Sequence, residues 1–146
     1  MSAIVIEGGR CLNGEVTIQG SKNAVLPIMA ASLLIPGTTV IYGCPIIDDV
    51  KCMKKLLEKL GCHVSFFDHT MMIDASEVFV SELTEESVKK VRASILFLGA
   101  LLGRKREASV VYPGGCSIGR RPIDYHLDGF RKMGVKISEQ DERENL

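Results

Sequence analysis

Asn23-Ala24-Val25-Leu26-Pro27-Ile28-Met29-Ala30-Ala31-Ser32-Leu33-Leu34-Ile35-Pro36-Gly37 is the stretch whose reading decides the fold. It is too long and too uniformly apolar for an ordinary strand and carries no polar face. It therefore predicts a helix enclosed on all sides and closed by Pro36-Gly37. Pro27 is a local conflict, tolerable in the first turn or two and a kink elsewhere. An enclosed helix needs other elements around it, and the flanks supply them. Upstream, Ile4 to Ile6 and Gly14 to Gly20 read as two short strands separated by Gly8-Gly9-Arg10 and Asn13-Gly14. Downstream, Thr38 to Tyr42 reads as a strand and Gly43-Cys44-Pro45 as a turn.

From Asp49 to Leu60 the apolar residues Val50, Met53, Leu56, Leu57 and Leu60 recur at helical spacing, with lysines between them and Gly61 as a left-handed cap. Cys62 to Phe67 and Met71 to Ile73 form a hairpin through Asp68-His69-Thr70. A second apolar helix runs from Thr84, its N-cap, to Leu102, and is again patterned for burial all round in its second half. Ser109 to Tyr112 is a strand, Pro113 to Arg121 a basic glycine-rich loop, and Pro122 to Met133 a helix with Pro122 at its first position and Gly134 as cap. Val135 to Ile137 closes as a strand. Met53 and Met133 belong to packing stripes, and Cys52 and Cys62 read as core fillers.

The order repeats at an offset of about 70 residues: apolar helix, strand, Gly/Pro turn, amphipathic helix ending in Leu60-Gly61 or Met133-Gly134, strand. This predicts an α/β fold of repeated βαβαββ-type units with buried central helices, two of them within residues 21–137. Residues 1–20 form N-terminal strands and 138–146 a polar tail. With two such units, helices patterned for full enclosure stay partly open, so self-association is expected.

Eighteen basic residues balance eighteen acidic ones, and 46% of residues are apolar, which excludes disorder and binding of nucleic acid or membrane by overall field. Five cysteines without C-x-x-C spacing indicate reduced thiols in a cytoplasmic protein rather than a disulfide framework. The apolar run Ile95 to Leu102 is too short to span a bilayer, and three histidines in no cluster give a metal little support. No cofactor is indicated.

Chemistry concentrates in Tyr112-Pro113-Gly114-Gly115-Cys116-Ser117-Ile118-Gly119-Arg120-Arg121-Pro122. Glycines let backbone N–H groups approach a ligand, the following helix start adds more, and the arginines add charge, which describes a phosphate or carboxylate site. Cys116 would be a stabilised thiolate or a proton donor there, or a bystander in an ordinary exposed loop. Lys22, beside Asn23 at the mouth of the first apolar helix, is either an anion ligand or a solvated lysine. Arg92 either snorkels with its neighbouring lysines or points into a polar cleft. Asp48 and Asp49 read as a solvated helix start, and His126 as a surface or substrate-rim residue.

The set Gly20-Ser21-Lys22-Asn23-Ala24, Leu26-Pro27, Ile73-Asp74-Ala75-Ser76, Arg92-Ala93-Ser94-Ile95 and Pro113-Gly114-Gly115-Cys116 with Ile118-Gly119 and Arg121-Pro122 resembles the UDP-N-acetylglucosamine 1-carboxyvinyltransferases, within the enolpyruvyl transferase family. The resemblance covers nearly the whole chain and is most specific in the cysteine loop. It implies the family's inside-out α/β barrel, here incomplete, and transfer of the enolpyruvyl group of phosphoenolpyruvate to the 3-hydroxyl of UDP-N-acetylglucosamine.

By the same resemblance Cys116 is the general acid, Lys22 with Asn23 contacts donor and acceptor, Arg121 is a phosphate ligand, Arg92 a further active-site arginine and His126 a rim residue. Arg120 stands where the family often has a small residue and receives no role. Family members are about three times as long. A third repeat, most of a second domain to which residues 1–20 partly belong, and the base that takes the hydroxyl proton are expected beyond residue 146. The chain is then expected to be inactive alone; the competing expectation is a non-catalytic anion-binding or assembly module.

Overall fold

In the computed structural model, which describes residues 3–80, 82–83, 92–111 and 122–138, the apolar stretch folds as helix α1, Lys22–Ala31, extended by a 3-10 turn over Ser32–Leu34. Pro27 falls in its second turn, where it removes the donor that would bond the Asn23 carbonyl. Val25, Leu26, Met29, Ala30 and Leu33 are buried. The expected enclosure on all sides is not found: Ile28 is 48% exposed, Leu34 50% and Ile35 55%. The exposed positions Ala24, Pro27, Ile28 and Ala31 share one side of the helix, opposite the buried Val25, Leu26, Met29 and Ala30.

Strand β1, Thr38–Ile41, stops one residue short of the exposed Tyr42. Helix α2, Asp48–Lys59, follows the predicted spacing, with Val50, Met53, Leu56 and Leu57 buried. It ends in a Schellman motif: with Leu60 as C-cap, Cys62 N–H donates to the Leu57 carbonyl and Gly61 N–H to that of Glu58. That geometry needs a positive φ at Gly61, which adopts +107°.

Strands β2, His63–Phe67, and β3, Thr70–Asp74, form the expected hairpin, but its loop has two residues rather than three. Phe67 pairs with Thr70, and Asp68 and His69 both take positive φ, as a primed two-residue turn requires. β1 also pairs antiparallel with β3, giving the order β1-β3-β2. Met71, Ile73 and Ile41 are buried beneath the sheet, while Val40, Met72 and Phe67 are exposed on its other face. The helices thus share one core with the inner face of the sheet.

Helix α3, Leu96–Lys105, follows a 3-10 turn over Arg92–Ile95 and buries Phe97, Ala100 and Leu101. It runs three residues past the expected end, and the proposed start at Thr84 lies outside the described residues. At its C-terminal end Arg104 Nη2 donates to the carbonyls of Ala75 and Ser76, and Lys105 Nζ to that of Val78, fixing the segment that leaves β3. β4, Glu82–Leu83, pairs in parallel with β5, Ser109–Val110. The expected strands at 4–6 and 14–20 are absent: residues 3–20 are irregular, with Ile4, Ile6, Val16 and Ile18 exposed. Alternating apolar residues favour a strand only where a second backbone completes the ladder, and none is beside them among the described residues.

The chain divides into two units, 1–113 and 114–146. In the second, helix α4 spans Asp124–Lys132. Pro122 lies before the N-cap, Ile123, not at the first helical position, so its fixed φ serves the entry to the helix rather than its first turn. α4 closes like α2: Gly134 N–H donates to Arg131 and Val135 N–H to Phe130, with Gly134 at φ +87°. Met133, expected in a packing stripe, is 73% exposed because it has become the cap. Residues 135–137 form no strand; no described backbone offers them a ladder. Most of the expected tail lies outside the described residues.

Candidate functional site

Within the first unit the described site is built where α1 and α2 begin. Ser21 caps α1 through its backbone: its carbonyl accepts from Ala24 and Val25, while its side chain makes no capping bond. The N–H groups of Lys22 and Asn23 themselves precede the first intrahelical bonds, a place that favours negative charge. α2 starts alongside, with Asp48 and Asp49 in its first turn.

The two starts are tied by charge. Lys22 Nζ forms an ion pair with Asp49 Oδ2, the lysine side chain 56% exposed and the carboxylate 32%. Asp49 was legible only as a solvated helix start; Asp48 instead meets Lys51 in its own helix. Backbone contact places the pair: a Cβ on Gly20 would lie 2.1 Å from the Gly43 carbonyl oxygen, so the Gly20-Ser21 approach to α1 rests directly on the turn after β1. Only glycine permits that approach.

The remaining candidates are placed less fully. Asn23 is exposed next to Lys22. Arg92 begins the 3-10 turn that leads into α3. Two residues on, Ser94 is completely buried, and among the described residues its hydroxyl has no hydrogen-bond partner. His126 is exposed in the first turn of α4, in the other unit. Cys116 and Arg121, with the rest of the 112–121 loop, lie outside the described residues. Among the candidates, then, the described geometry joins Lys22 and Asn23 and adds Asp49 to them.

The other thiols contrast with what the loop cysteine would need. Cys44 and Cys62 are buried, Cys52 is half-buried and Cys11 is exposed. Burial pushes the Cys62 thiol up to about 11, with Asp74 adding to the rise and Arg104 opposing it; burial also raises Cys44. Among the described residues no group of three or more His, Cys, Asp or Glu is arranged to hold a metal ion. No described helix is long and apolar enough to cross a membrane.

The model of the family described as EPSP synthase (3-phosphoshikimate 1-carboxyvinyltransferase) matches residues 6–146. The chain belongs to this family. Its curated relatives within the EPSP synthase family include UDP-N-acetylglucosamine 1-carboxyvinyltransferase 2 of Caldanaerobacter subterraneus subsp. tengcongensis, 45% identical over 139 residues, which are 95% of this chain and 33% of the relative. A UDP-N-acetylglucosamine 1-carboxyvinyltransferase of Desulfatibacillum aliphaticivorans is 47% identical over 137 residues, 94% of this chain and 33% of that protein. The chain thus spans about a third of the length of these relatives. Among solved structures it is similar to the enolpyruvyl transferase NikO from Streptomyces tendae, with a TM-score of 0.61 and 28% identity over 66% of this chain and 23% of the other. The fold is accordingly the α/β fold of an enolpyruvyl transferase, in part.

Proposed function

We propose that this chain is part of an enolpyruvyl transferase that moves the enolpyruvyl group of phosphoenolpyruvate to the 3-hydroxyl of UDP-N-acetylglucosamine, the first committed step of peptidoglycan precursor synthesis in the cytoplasm. The observation that carries the reading is 45–47% identity, across nearly the whole chain, to relatives bearing that activity's name. The Lys22–Asp49 pair supports it, because it holds an ammonium at a helix start where the phosphate of the donor can be met.

In this reading the acceptor oxygen attacks C2 of phosphoenolpyruvate while the Cys116 thiol gives its proton to C3. The hydroxyl proton passes to a base supplied by residues outside this chain. The tetrahedral adduct then loses a proton from the new methyl group, the C2–O bond to phosphate breaks, and the enol ether and phosphate leave. Lys22, Arg121 and Arg92 gather the anionic groups, Asn23 stands beside Lys22 against the substrates, and His126 lies at the rim. Convergent cations are needed because donor and acceptor are both anionic, and the proton must be held close because an alkene carbon is weakly basic. In this reading residues 1–20 belong in part to a second domain, whose backbone would complete the ladder that Val16 and Ile18 lack among the described residues. The chain alone is expected to be inactive.

The test is a chimera in which this sequence replaces the matching third of the Desulfatibacillum relative, assayed for UDP-N-acetylglucosamine-dependent phosphate release from phosphoenolpyruvate. Turnover that falls about 10²–10⁴-fold on Cys116→Ala, the range of a lost general acid, supports the reading. A folded chimera that binds neither substrate overturns it.

A further inference from the structure

Neither backbone polar group of Cys44 is left to solvent. Its N–H donates to the His69 carbonyl at 2.7 Å, and its own carbonyl lies 3.0 Å from His69 Nδ1. A carbonyl only accepts, so Nδ1 carries the proton. One residue thus grips both sides of one peptide position, 25 residues away in sequence. His69 does so from the second turn residue of the β2–β3 hairpin at φ +58°, following Asp68 at φ +43°. A primed two-residue turn needs positive φ at both positions, which aspartate and histidine tolerate better than most side chains, so the turn holds the imidazole in a defined place.

We propose that His69 is the positioning residue of the Lys22 site, an inference that rests on the reading of Lys22 as an anion ligand. Cys44 follows Gly43, whose carbonyl oxygen occupies the space where a Cβ of Gly20 would lie. Gly20 leads through Ser21, whose carbonyl caps α1, to Lys22. The same turn leads forward to Asp49, the ion-pair partner of Lys22. By fixing the Gly43-Cys44-Pro45 turn, His69 sets both ends of that ion pair while touching neither. The Gly20–Gly43 contact leaves no slack through which a shift of the turn could be absorbed.

Nitrogen-15 spectra of histidine-labelled chain, assigned with His63→Gln and His126→Gln, test the clamp directly. At a pH high enough by its own titration to leave the ring neutral, His69 is expected as the Nδ1–H tautomer; a ring protonated on Nε2 instead overturns the clamp. In the chimera described above, His69→Ala is expected to raise the KM for phosphoenolpyruvate about tenfold with kcat nearly unchanged, the signature of a displaced binding group. His69→Asn, which tolerates positive φ and keeps a donor, is expected to restore most of the loss. An unchanged KM, or a fall in kcat alone, overturns the positioning role. If the unmutated chimera folds but does not bind phosphoenolpyruvate, the functional reading fails, and the tautomer still decides the clamp.

Discussion

The ammonium of Lys22 is paired with the carboxylate of Asp49, joining the first turns of α1 and α2. Both side chains are partly exposed, so the pair contributes at most about 1 kcal/mol to stability. Its consequence lies in orientation. Asp49→Asn is expected to move the urea midpoint of the isolated chain little while lowering kcat/KM of the chimera about tenfold. If the variant is destabilised by more than about 2 kcal/mol, with activity falling in proportion, the pair is structural and this reading of it fails.

Cys62 makes stability depend on alkaline pH. Its thiol is raised to about 11 from an ordinary 9.0, chiefly by burial, so the folded state holds the proton after the unfolded state has lost it. The stabilisation is complete below pH 9 and is lost as pH rises from about 9 to 11, by on the order of 2 kcal/mol. Denaturant titrations across that window should show the decline in the unmutated chain and a shallower one in Cys62→Ala. Equal slopes would remove Cys62 as the cause.

The same burial ranks the thiols. Cys44 and Cys62 should resist alkylation, Cys11 should react at the rate of an exposed thiol, and Cys116, in a stretch of sequence rich in glycine and followed by two arginines, should react first. Peptide mapping after sub-stoichiometric alkylation of the folded chain reads the order. Preferential modification of Cys52 or Cys62 would remove the physical basis for an activated loop cysteine.

Gly61 is constrained twice. Its φ of +107° disfavours a side chain, and a Cβ there would come within 2.6 Å of Phe79 Cδ2 and 3.1 Å of its backbone nitrogen. Gly61→Ala is expected to cost about 1–3 kcal/mol in urea unfolding. A loss below about 0.5 kcal/mol would mean that the Phe79 segment moves aside freely.

Features carried by short-range pattern were legible in the sequence. The heptad-like spacing of Val50, Met53, Leu57 and Leu60, closed by Gly61, specifies α2 because every decisive interaction lies within one helix and its cap. The glycines read as caps, Gly61 and Gly134, both close their helices with the same pair of Schellman bonds. Long-range partnership was not legible. Lys22 was marked by its position before an apolar helix, yet its pairing with Asp49 depends on two helix starts lying side by side. His69 reads from sequence only as a hairpin-loop residue, because its contact to Cys44 spans 25 residues. The strands expected at 4–6 and 14–20 have the right alternation and no backbone to pair with among the described residues, which alternation cannot reveal.

The exposed side of α1 favours self-association. Ile28 in α1, Leu34 in the 3-10 turn and Ile35 just after it are each about half exposed, and no charged residue follows Lys22 in this stretch, so water meets an apolar surface with no charged rim of its own. Covering a few hundred Å² of such surface is worth about 5–10 kcal/mol at 25 cal/mol per Å², and bringing two chains together costs about 4–15 kcal/mol. The balance favours weak, concentration-dependent self-association over a tight dimer. Sedimentation equilibrium over a wide concentration range should therefore give a mass that climbs above 16.0 kDa. The double variant Ile28→Glu, Ile35→Glu should hold the monomer mass without losing its helical circular dichroism, since neither side chain is in the buried core. A monomer at every concentration in the unmutated chain, with a melt independent of concentration, would show that this apolar face is stable in water as it stands.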